Sequence, residues 1–300
     1  MSSSIFIPKT LTKTSLLSLK QLLSVLFNKN SGELSVNRDL PNQGVKILDA
    51  SAGANATLEA FLHESIPTSR FINGLKELVD PKGKYMFPFP KAENVKEVVQ
   101  KVGIERNDQI VLYAQPGKIV GAARTYVILN AFGFNVSLLN GGLSKYIAEG
   151  YPTEKGVKYT GKSTEIGDLE DPSDSLSFLN DLRSFEKGEN ENLQVIDSRP
   201  PTAFDGKALD HPDDLRQGNV GGSVNILPGE FMNKDETFKS DEELLSVFDK
   251  YSLDPKKDTV VMCRGGVAAT IGIAALQGSN PGTFGKVLLY DGSWSEYGSA

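Results

Sequence analysis

The sequence contains a single cysteine, Cys263, and two histidines, His63 and His211, among its 300 residues. One thiol cannot form a disulfide within the chain, and it cannot build a cysteine-rich zinc or iron–sulfur site. We therefore expect a reducing compartment and no metal site. The sequence also lacks any run of eighteen apolar residues, so we predict no membrane span.

Positive charge is not in excess, since 32 Lys and Arg residues stand against 38 Asp and Glu residues and the net charge is −6. Proteins that bind nucleic acid backbones usually carry a basic face, so we predict no nucleic acid partner. Hydrophobic residues make up 39% and charged residues 23% of the chain, which is typical of globular domains. A length of 300 residues favours two of them.

The N-terminal residues 1–32 lack both acidic residues and arginine but contain four lysines and many serines. This composition predicts a mitochondrial targeting segment, with the cytoplasm as the alternative location. The same segment contains closely spaced leucines between Leu16 and Leu26, which suit the apolar face of a helix in the first domain. Both interpretations stay open, and one segment can serve both purposes.

A domain-sized repeat relates the two halves of the sequence. Each half contains a strand that ends in Asp, an aromatic landmark, a short polar segment, an amphipathic helix followed by an apolar strand, and a strand that ends in a glycine turn. The matched segments are 45–51 with 193–200, 59–61 with 202–204, 65–72 with 219–226, 93–114 with 241–263, and 134–146 with 285–297.

Strands that alternate with helices predict an α/β fold, in which each domain is a parallel sheet flanked by helices on both faces. We place an N-terminal domain at 9–150 and a C-terminal domain at 177–300. Residues 151–176 between them are rich in Gly, Ser, Thr, Asp and Glu and show no sustained period, which indicates a linker.

Cys263 lies directly after an apolar strand and directly before a helical run. Gly265 and Gly266 allow the backbone to curl so that several N–H groups point inward, and the helix N-terminus adds a positive end. Such a cradle favours an anionic sulfur, and Arg264 adds a fixed charge beside it. Free cysteine is often a small core residue, but the carboxyl end of a strand is where open α/β sheets bind ligands.

Seven short motifs lie within the two repeated halves. The motifs are CRGGVAA at 263–269, DSRP at 197–200, FDG at 204–206, DGSWSEY at 291–297, DAS at 49–51, SIP at 65–67 and FGFNVSLLNGG at 132–142. Motifs in these positions resemble the tandem-domain rhodanese family, which includes thiosulfate and 3-mercaptopyruvate sulfurtransferases. The resemblance covers nearly the whole chain.

The resemblance implies that the C-terminal domain is catalytic and that Ala114 takes the place of the cysteine in the N-terminal domain. Cys263 would accept sulfur as a persulfide from a small anionic donor, thiosulfate or 3-mercaptopyruvate, and pass it to a thiol, cyanide or a protein. No metal or organic cofactor would be needed. The implied active-site loop is Cys263, Arg264, Gly265, Gly266, Val267 and Ala268.

The resemblance also implies that Arg199 contacts the anionic donor, as guanidinium groups bind sulfonate-like or carboxylate groups well. The alternative role for Arg199 is a salt bridge inside the domain. Asp197 is expected to anchor the loop after its strand, and Trp294 is expected to pack the end of the domain.

Several positions depart from the family pattern. Gly265 stands where thiosulfate enzymes often have lysine and mercaptopyruvate enzymes serine, so this residue favours neither donor. Ser65 and Asn219 stand where the family has histidine; His63 is a weak substitute, and His211 suits a solvated loop.

Two other functions remain as alternatives. A cysteine phosphatase would need arginine at the sixth position after Cys263, where the chain has Ala269, which argues against it. A non-catalytic rhodanese-fold subunit of a larger assembly stays open, because a retained cysteine loop does not prove turnover.

Overall fold

The computed structural model describes residues 16–30, 33–53, 57–170, 172–208 and 214–299. These residues form two halves of the same architecture, and each half contains a five-stranded parallel sheet with helices packed against it. The predicted α/β fold with two tandem domains is confirmed.

The N-terminal half has its parallel strands in the order β1-β7-β6-β4-β5. A separate antiparallel hairpin, β2 and β3, was not predicted from the sequence. The strands are β1 (Leu16–Leu17), β2 (Phe27–Asn30), β3 (Glu33–Val36), β4 (Val45–Asp49), β5 (Arg70–Phe71), β6 (Gln109–Tyr113) and β7 (Asn135–Leu139). The helices are α1 (Leu19–Leu26), α2 (Thr57–His63), α3 (Gly74–Glu77), α4 (Ala92–Lys101), α5 (Ile119–Ala131) and α6 (Gly142–Ala148), with a 3-10 helix at Leu40–Gln43.

The C-terminal half repeats this arrangement, with its parallel strands in the order β8-β12-β11-β9-β10. The strands are β8 (Leu176–Ser177), β9 (Leu193–Asp197), β10 (Val224–Asn225), β11 (Asp258–Met262) and β12 (Val287–Tyr290). The helices are α7 (Leu179–Glu186), α8 (Pro201–Phe204), α9 (Asp241–Lys250), α10 (Ala269–Gln277) and α11 (Ser293–Tyr297), with 3-10 helices at Pro172–Ser175 and Pro228–Phe231.

The patterns that predict these elements have clear physical causes. Strands β4, β6 and β9 are buried along their whole length, as parallel strands covered on both faces must be. Helix α4 buries Val95, Val98 and Val99, which share one face at helical spacing. Helix α9 begins with a capping box, in which Ser240 and Glu243 accept each other's backbone N–H groups.

Helices α5 and α10 pack against each other and join the two halves. Residues 269–276 of α10 are all buried, and one apolar core cluster contains residues from both halves. A helix that is covered on all sides is apolar all round, which explains why these two helices lack an amphipathic pattern.

The N-terminal leucines belong to the fold, since Leu19, Leu22 and Leu26 of α1 are buried in the core. The prediction of a targeting segment concerns residues 1–32, of which residues 1–15, 31 and 32 lie outside the described residues, and it stays a prediction. Among the described residues, no helix is long and apolar enough to cross a membrane.

The segment after α6 follows the surface of the N-terminal half. Glu154 pairs with Ser65 in an isolated bridge, and the Thr164 hydroxyl donates a hydrogen bond to the carbonyl of Ile104. The Tyr159 ring lies under the Arg70 guanidinium, 4.0 Å from its central carbon. These contacts hold the predicted linker against the domain that precedes it.

The registers of the two sheets show that Cys263 and Ala114 are equivalent positions in the two halves. Met262 at the end of β11 pairs with Asp197, and Tyr113 at the end of β6 pairs with Asp49. The next residues, Cys263 and Ala114, therefore occupy equivalent positions at the carboxyl edges of the two sheets.

Candidate active site

Cys263 lies at the carboxyl end of β11 and is 4% exposed. It begins the segment 263–268, here called the active loop, which leads into α10. Beside it is an open cavity of about 240 Å³ between the two halves of the chain. The cavity is lined by Met86, Phe87, Val120, Ser198, Arg199, Pro200, Cys263, Arg264, Gly265, Val267 and Ala268.

The first two carbonyl groups of the active loop are held by α11. The Trp294 N–H donates a hydrogen bond of 3.0 Å to the Cys263 carbonyl. The Ser295 N–H and its hydroxyl both donate to the Arg264 carbonyl, at 2.9 and 2.8 Å. Each bond fixes the plane of one loop peptide.

Two further carbonyl groups are held from other directions. Arg124 Nη1 of helix α5 donates to the Gly266 carbonyl at 2.9 Å. The Thr270 N–H and hydroxyl donate to the Val267 carbonyl at 3.1 and 2.6 Å. Four of the loop's carbonyls are thus occupied.

These four anchors determine the direction of the loop N–H groups. In a planar trans peptide the carbonyl and the next N–H point in opposite directions, so anchoring one turns the other away. The N–H groups of Arg264, Gly265, Val267 and Ala268 therefore point away from the groups that hold the carbonyls. None of the four donates a hydrogen bond within the described part of the chain. Several N–H groups directed into one concavity form a site for an anion.

Ser293 closes this loop from the side. Its Oγ accepts hydrogen bonds from the N–H groups of Cys263 at 3.2 Å and Gly266 at 3.0 Å, and it donates to the Tyr290 carbonyl at 2.8 Å. Ser293 has a φ of +50°, which is unfavourable for a residue with a side chain. Gly142, at the equivalent turn of the N-terminal half, has a φ of +51°.

Arg199 lies at the edge of the cavity but already has partners. Its Nε lies 2.9 Å and its Nη2 2.6 Å from Asp197 Oδ2, and Nη2 also donates to the Gly218 carbonyl at 2.7 Å. The guanidinium stacks on Trp294, with its central carbon 3.8 Å from the ring centroid. Nη1 makes no hydrogen bond within the described residues, so this nitrogen is available to bind an anionic sulfur donor in the cavity.

The partner of Arg199 is fully buried. Burial raises the pKa of the Asp197 carboxyl above its ordinary value, and the hydrogen bonds and charge of Arg199 partly offset this rise. Asp197 also accepts the Arg199 backbone N–H at 3.0 Å, so it anchors the chain that follows β9. The two proposed roles of Arg199, a salt bridge and a donor contact, thus use different nitrogens of one side chain.

Two polar side chains beside Cys263 make no hydrogen bond or ion pair within the described residues. The Arg264 side chain is exposed and makes no ion pair with any residue in the described ranges. The Ser198 hydroxyl is buried, lines the cavity and makes no hydrogen bond there. Both groups can donate hydrogen bonds to an anion in the cavity.

The N-terminal half supplies one wall of the cavity. Met86 lies so close that a Cβ on Gly265 would be 2.8 Å from the Met86 Cβ. Gly265 does not have a positive φ, whereas Gly266 has a φ of +72°. Gly266 therefore provides the left-handed turn of the loop, and Gly265 makes room for Met86.

The remaining predicted positions lie elsewhere. Ser65, Asn219 and the exposed His63 do not line the cavity. Ser65 donates to the Glu154 carbonyl, and Asn219 donates to the Phe204 carbonyl. His211 lies outside the described residues. Among the described residues, no three His, Cys, Asp or Glu side chains are grouped so that they could hold a metal ion.

Four residues of the site were not predicted from the sequence: Ser198, Ser293, Met86 and Arg124. Arg124 is the one with a visible signal, because it is the single charged residue in the apolar helix segment 119–131. The role of Ser293 depends on its backbone angle, and Met86 meets the loop only through the packing of the two halves.

Comparison with known proteins agrees with this geometry. The family model of the Rhodanese-like domain matches the chain twice, at residues 34–149 and 183–300. The chain belongs to the rhodanese family. The two matches correspond to the two halves of the structure, and both the active loop and its cysteine-free equivalent lie within them.

Relatives of this rhodanese have similar lengths. Thiosulfate sulfurtransferase from Gallus gallus is 31% identical over 262 residues, which cover 85% of this chain and 86% of the relative. The 3-mercaptopyruvate sulfurtransferase from Homo sapiens is 30% identical over 263 residues, covering 85% of each. These relatives support a sulfurtransferase-type enzyme, and both donor types are represented among them.

Solved structures share the fold. Tum1 from Saccharomyces cerevisiae has a TM-score of 0.74 at 20% identity and covers 95% of each chain. SseA from Escherichia coli, described as a 3-mercaptopyruvate sulfotransferase, has a TM-score of 0.73 at 21% identity and covers 94% of this chain and 99% of its own. At these identities the similarity shows the fold alone.

Proposed function

We propose that this rhodanese transfers a sulfane sulfur from a small anionic donor to a thiol, cyanide or protein acceptor through a persulfide on Cys263. The observation that supports this most is the set of four active-loop N–H groups that donate no hydrogen bond among the described residues, in the segment that begins with the only thiol of the sequence. A persulfide carries negative charge on its outer sulfur, and N–H groups that are already oriented stabilise such charge without reorganising.

Each step conserves atoms and electrons without an added oxidant. The Cys263 thiolate attacks the outer sulfur of thiosulfate, a new S–S bond forms, and the donor's S–S bond breaks with sulfite leaving with the electron pair. The acceptor thiolate or cyanide then attacks the outer persulfide sulfur. Cys263 Sγ leaves as the thiolate, and the product is an acceptor persulfide or thiocyanate.

The lining of the cavity favours thiosulfate over 3-mercaptopyruvate as the donor. Sulfite leaves as a stable anion, whereas breaking the C–S bond of mercaptopyruvate leaves a pyruvate enolate that must take up a proton. No histidine, carboxylate or lysine is among the described residues that line the cavity. The dianion thiosulfate also gains more than a monoanionic carboxylate from Arg264.

The first prediction tests the persulfide. We expect thiosulfate to add about 32 Da to the intact chain and cyanide to remove it again as thiocyanate, because Cys263 is the only thiol. Intact-mass spectrometry and a cyanolysis assay measure both steps. The Cys263→Ser variant should show neither, and turnover in that variant would contradict the mechanism.

The same assays separate the remaining alternatives. A kcat/KM that is higher for 3-mercaptopyruvate than for thiosulfate would overturn the donor preference. No adduct and no turnover with either donor would favour the non-catalytic subunit.

We also propose a mitochondrial location from the composition of residues 1–32. Imaging of the full chain with a C-terminal fluorescent tag would test this location, and a diffuse cytoplasmic signal would contradict it.

A further inference from the structure

We infer that Arg124, in the half without the catalytic cysteine, is a positioning residue that holds the active loop in its anion-binding conformation. The inference rests on the proposed function, because it concerns how the loop receives negative charge at Cys263. It assigns the N-terminal half a direct part in the chemistry of the C-terminal half.

The Arg124 side chain crosses the boundary between the two halves. It is fully buried on helix α5. Its Nη1 donates to the Gly266 carbonyl at 2.9 Å, and its Nη2 donates to the Phe87 carbonyl at 2.8 Å. Nη2 also lies 2.8 Å from Asp291 Oδ1, and Asp291 Oδ2 accepts the Phe89 N–H at 2.7 Å.

The contact with Gly266 has a directional consequence. Among the described residues, the loop carbonyls of Cys263, Arg264, Val267 and Ala268 are held by residues of the C-terminal half, and only that of Gly266 is held from the N-terminal half. The Gly266 carbonyl and the Val267 N–H belong to one planar peptide. Releasing the carbonyl would let this peptide rotate and take the Val267 N–H out of the cradle.

The surroundings of Gly266 leave no room for a side chain at this position. A Cβ at this position would lie 2.7 Å from the Asp291 carbonyl oxygen and 3.2 Å from Arg124 Nη1. Gly266 also has a φ of +72°, a conformation that glycine adopts without a side-chain penalty. The turn is therefore flexible by its chemistry and held by its neighbours, chiefly Arg124 and Ser293.

The fork of the guanidinium explains why an arginine is needed at this place. Two nitrogens in fixed relative positions contact the Gly266 carbonyl, the Phe87 carbonyl and the Asp291 carboxylate at the same time. The carboxylate balances the charge of Arg124, so we assign the effect on the loop to orientation rather than to long-range attraction.

The equivalent contact in the other direction provides a matched control. Gly117, in the loop that follows Ala114, has a φ of +70° like Gly266. Its N–H donates to Glu236 Oε1 of the C-terminal half at 2.5 Å, and the Ser144 hydroxyl donates to Glu236 Oε2. Glu236 thus joins the halves at the loop without a cysteine, and it does not line the cavity beside Cys263.

The second prediction uses a variant that removes the buried pair together, Arg124→Met with Asp291→Asn, so that no lone charge is left in the interior. We expect kcat with thiosulfate to fall about 10–100-fold while KM changes less than about threefold, because Arg124 does not line the cavity. Alkylation of Cys263 by neutral iodoacetamide should slow about tenfold at fixed pH, since it needs the same stabilised thiolate.

Two further variants identify the cause. Asp291→Asn alone keeps the Arg124 contact with Gly266 and should retain most of the activity. Arg124→Lys keeps the charge with a single nitrogen and should fall between the wild type and the double variant. Glu236→Ala weakens the boundary elsewhere and should leave both rates within about twofold of the wild type.

The outcomes distinguish this inference from the proposed function. A folded double variant with wild-type kcat and alkylation rate would overturn it, as would a raised KM with unchanged kcat, which would make Arg124 a binding residue. If the double variant does not fold, equal rates in Arg124→Lys and wild type overturn it instead. Alkylation reports on the loop even if the wild type transfers no sulfur, so loss of turnover alone contradicts only the proposed function.

Discussion

Arg199 combines a structural contact with an open nitrogen at the cavity. Nε and Nη2 face Asp197, which is fully buried, while Nη1 has no partner within the described residues. Arg264, next to the cysteine, is exposed and has no ion pair among the same residues. Two guanidinium groups thus border the cavity, but only one of them is also needed by the fold.

The third prediction separates the two roles of Arg199. Arg199→Ala should lower the free energy of unfolding by about 3–5 kcal/mol, because it leaves the Asp197 carboxylate buried without its partner. It should also reduce kcat/KM for thiosulfate about 10–100-fold through loss of a charged hydrogen bond. Denaturant unfolding and steady-state kinetics measure the two effects.

The double variant Arg199→Ala with Asp197→Asn is the control. It removes the unpaired charge, so we expect stability to recover in part while kcat/KM stays low. If both recover together, Arg199 does not contact the donor, and its role is confined to the salt bridge.

The residues of the site differ in how visible they are in the sequence. Cys263 and Gly266 follow an apolar strand in a short local pattern; in the structure Cys263 comes directly after β11, and Gly266 has the left-handed φ of +72°. Ser293 is different, because its function depends on a positive φ that no local pattern announces for a serine. Arg124 carries a local signal, but its target, Gly266, is 142 residues away in the chain.

At the scale of elements, one segment of each half contacts the loop that follows the central strand of the other half. The segment around Phe87 reaches the active loop, and the segment around Glu236 reaches the loop after Ala114. Both residues have positive φ values, +47° and +65°. The exchange follows from the repeat, but the contacts it creates depend on how the two halves pack, which periodicity within each half does not show.

The fourth prediction concerns the loop position where the family pattern places lysine or serine. A side chain on Gly265 would begin 2.8 Å from the Met86 Cβ, which is closer than packed carbon atoms approach. We therefore expect Gly265→Lys alone to lower kcat/KM for both donors, because the loop or the Met86 segment must shift. Steady-state kinetics with thiosulfate and 3-mercaptopyruvate measure this loss.

Removing the obstacle should change the result. In Gly265→Lys with Met86→Gly the lysine has room, and its charge should raise kcat/KM for thiosulfate relative to 3-mercaptopyruvate about tenfold. Met86→Gly alone controls for the loss of the apolar wall. The absence of any selectivity change in the double variant would show that position 265 shapes the loop rather than selects the donor.

For the whole molecule, the repeated alternation of strand and helix predicts two α/β domains with parallel sheets, but the order of the strands within each sheet was not predicted. The hairpin of β2 and β3 was not predicted, since residues 27–36 contain polar residues and show no regular alternation. The joint core was not predicted either. Apart from Arg124, helices α5 and α10 contain no charged residue, which indicates burial but does not say that each buries the other.

The fifth prediction follows from this shared core. The apolar cluster contains residues of both halves, and separating α5 from α10 would expose the apolar surface of both helices to water. The buried Arg124 would also lose the Gly266 carbonyl. We therefore expect the two halves to unfold together in one cooperative transition, although the repeat divides the chain into two domains.

Trp294 makes this test direct, because it is the only tryptophan and lies in the C-terminal half. In guanidinium titrations, its fluorescence reports on that half, and far-ultraviolet circular dichroism reports on the helices of both. We expect the two curves to share one midpoint and one slope. A second transition in circular dichroism that fluorescence does not follow would show that the N-terminal half is independently stable. The Arg124→Met and Asp291→Asn variant should move both curves to lower denaturant together, because the pair it removes belongs to the boundary between the halves.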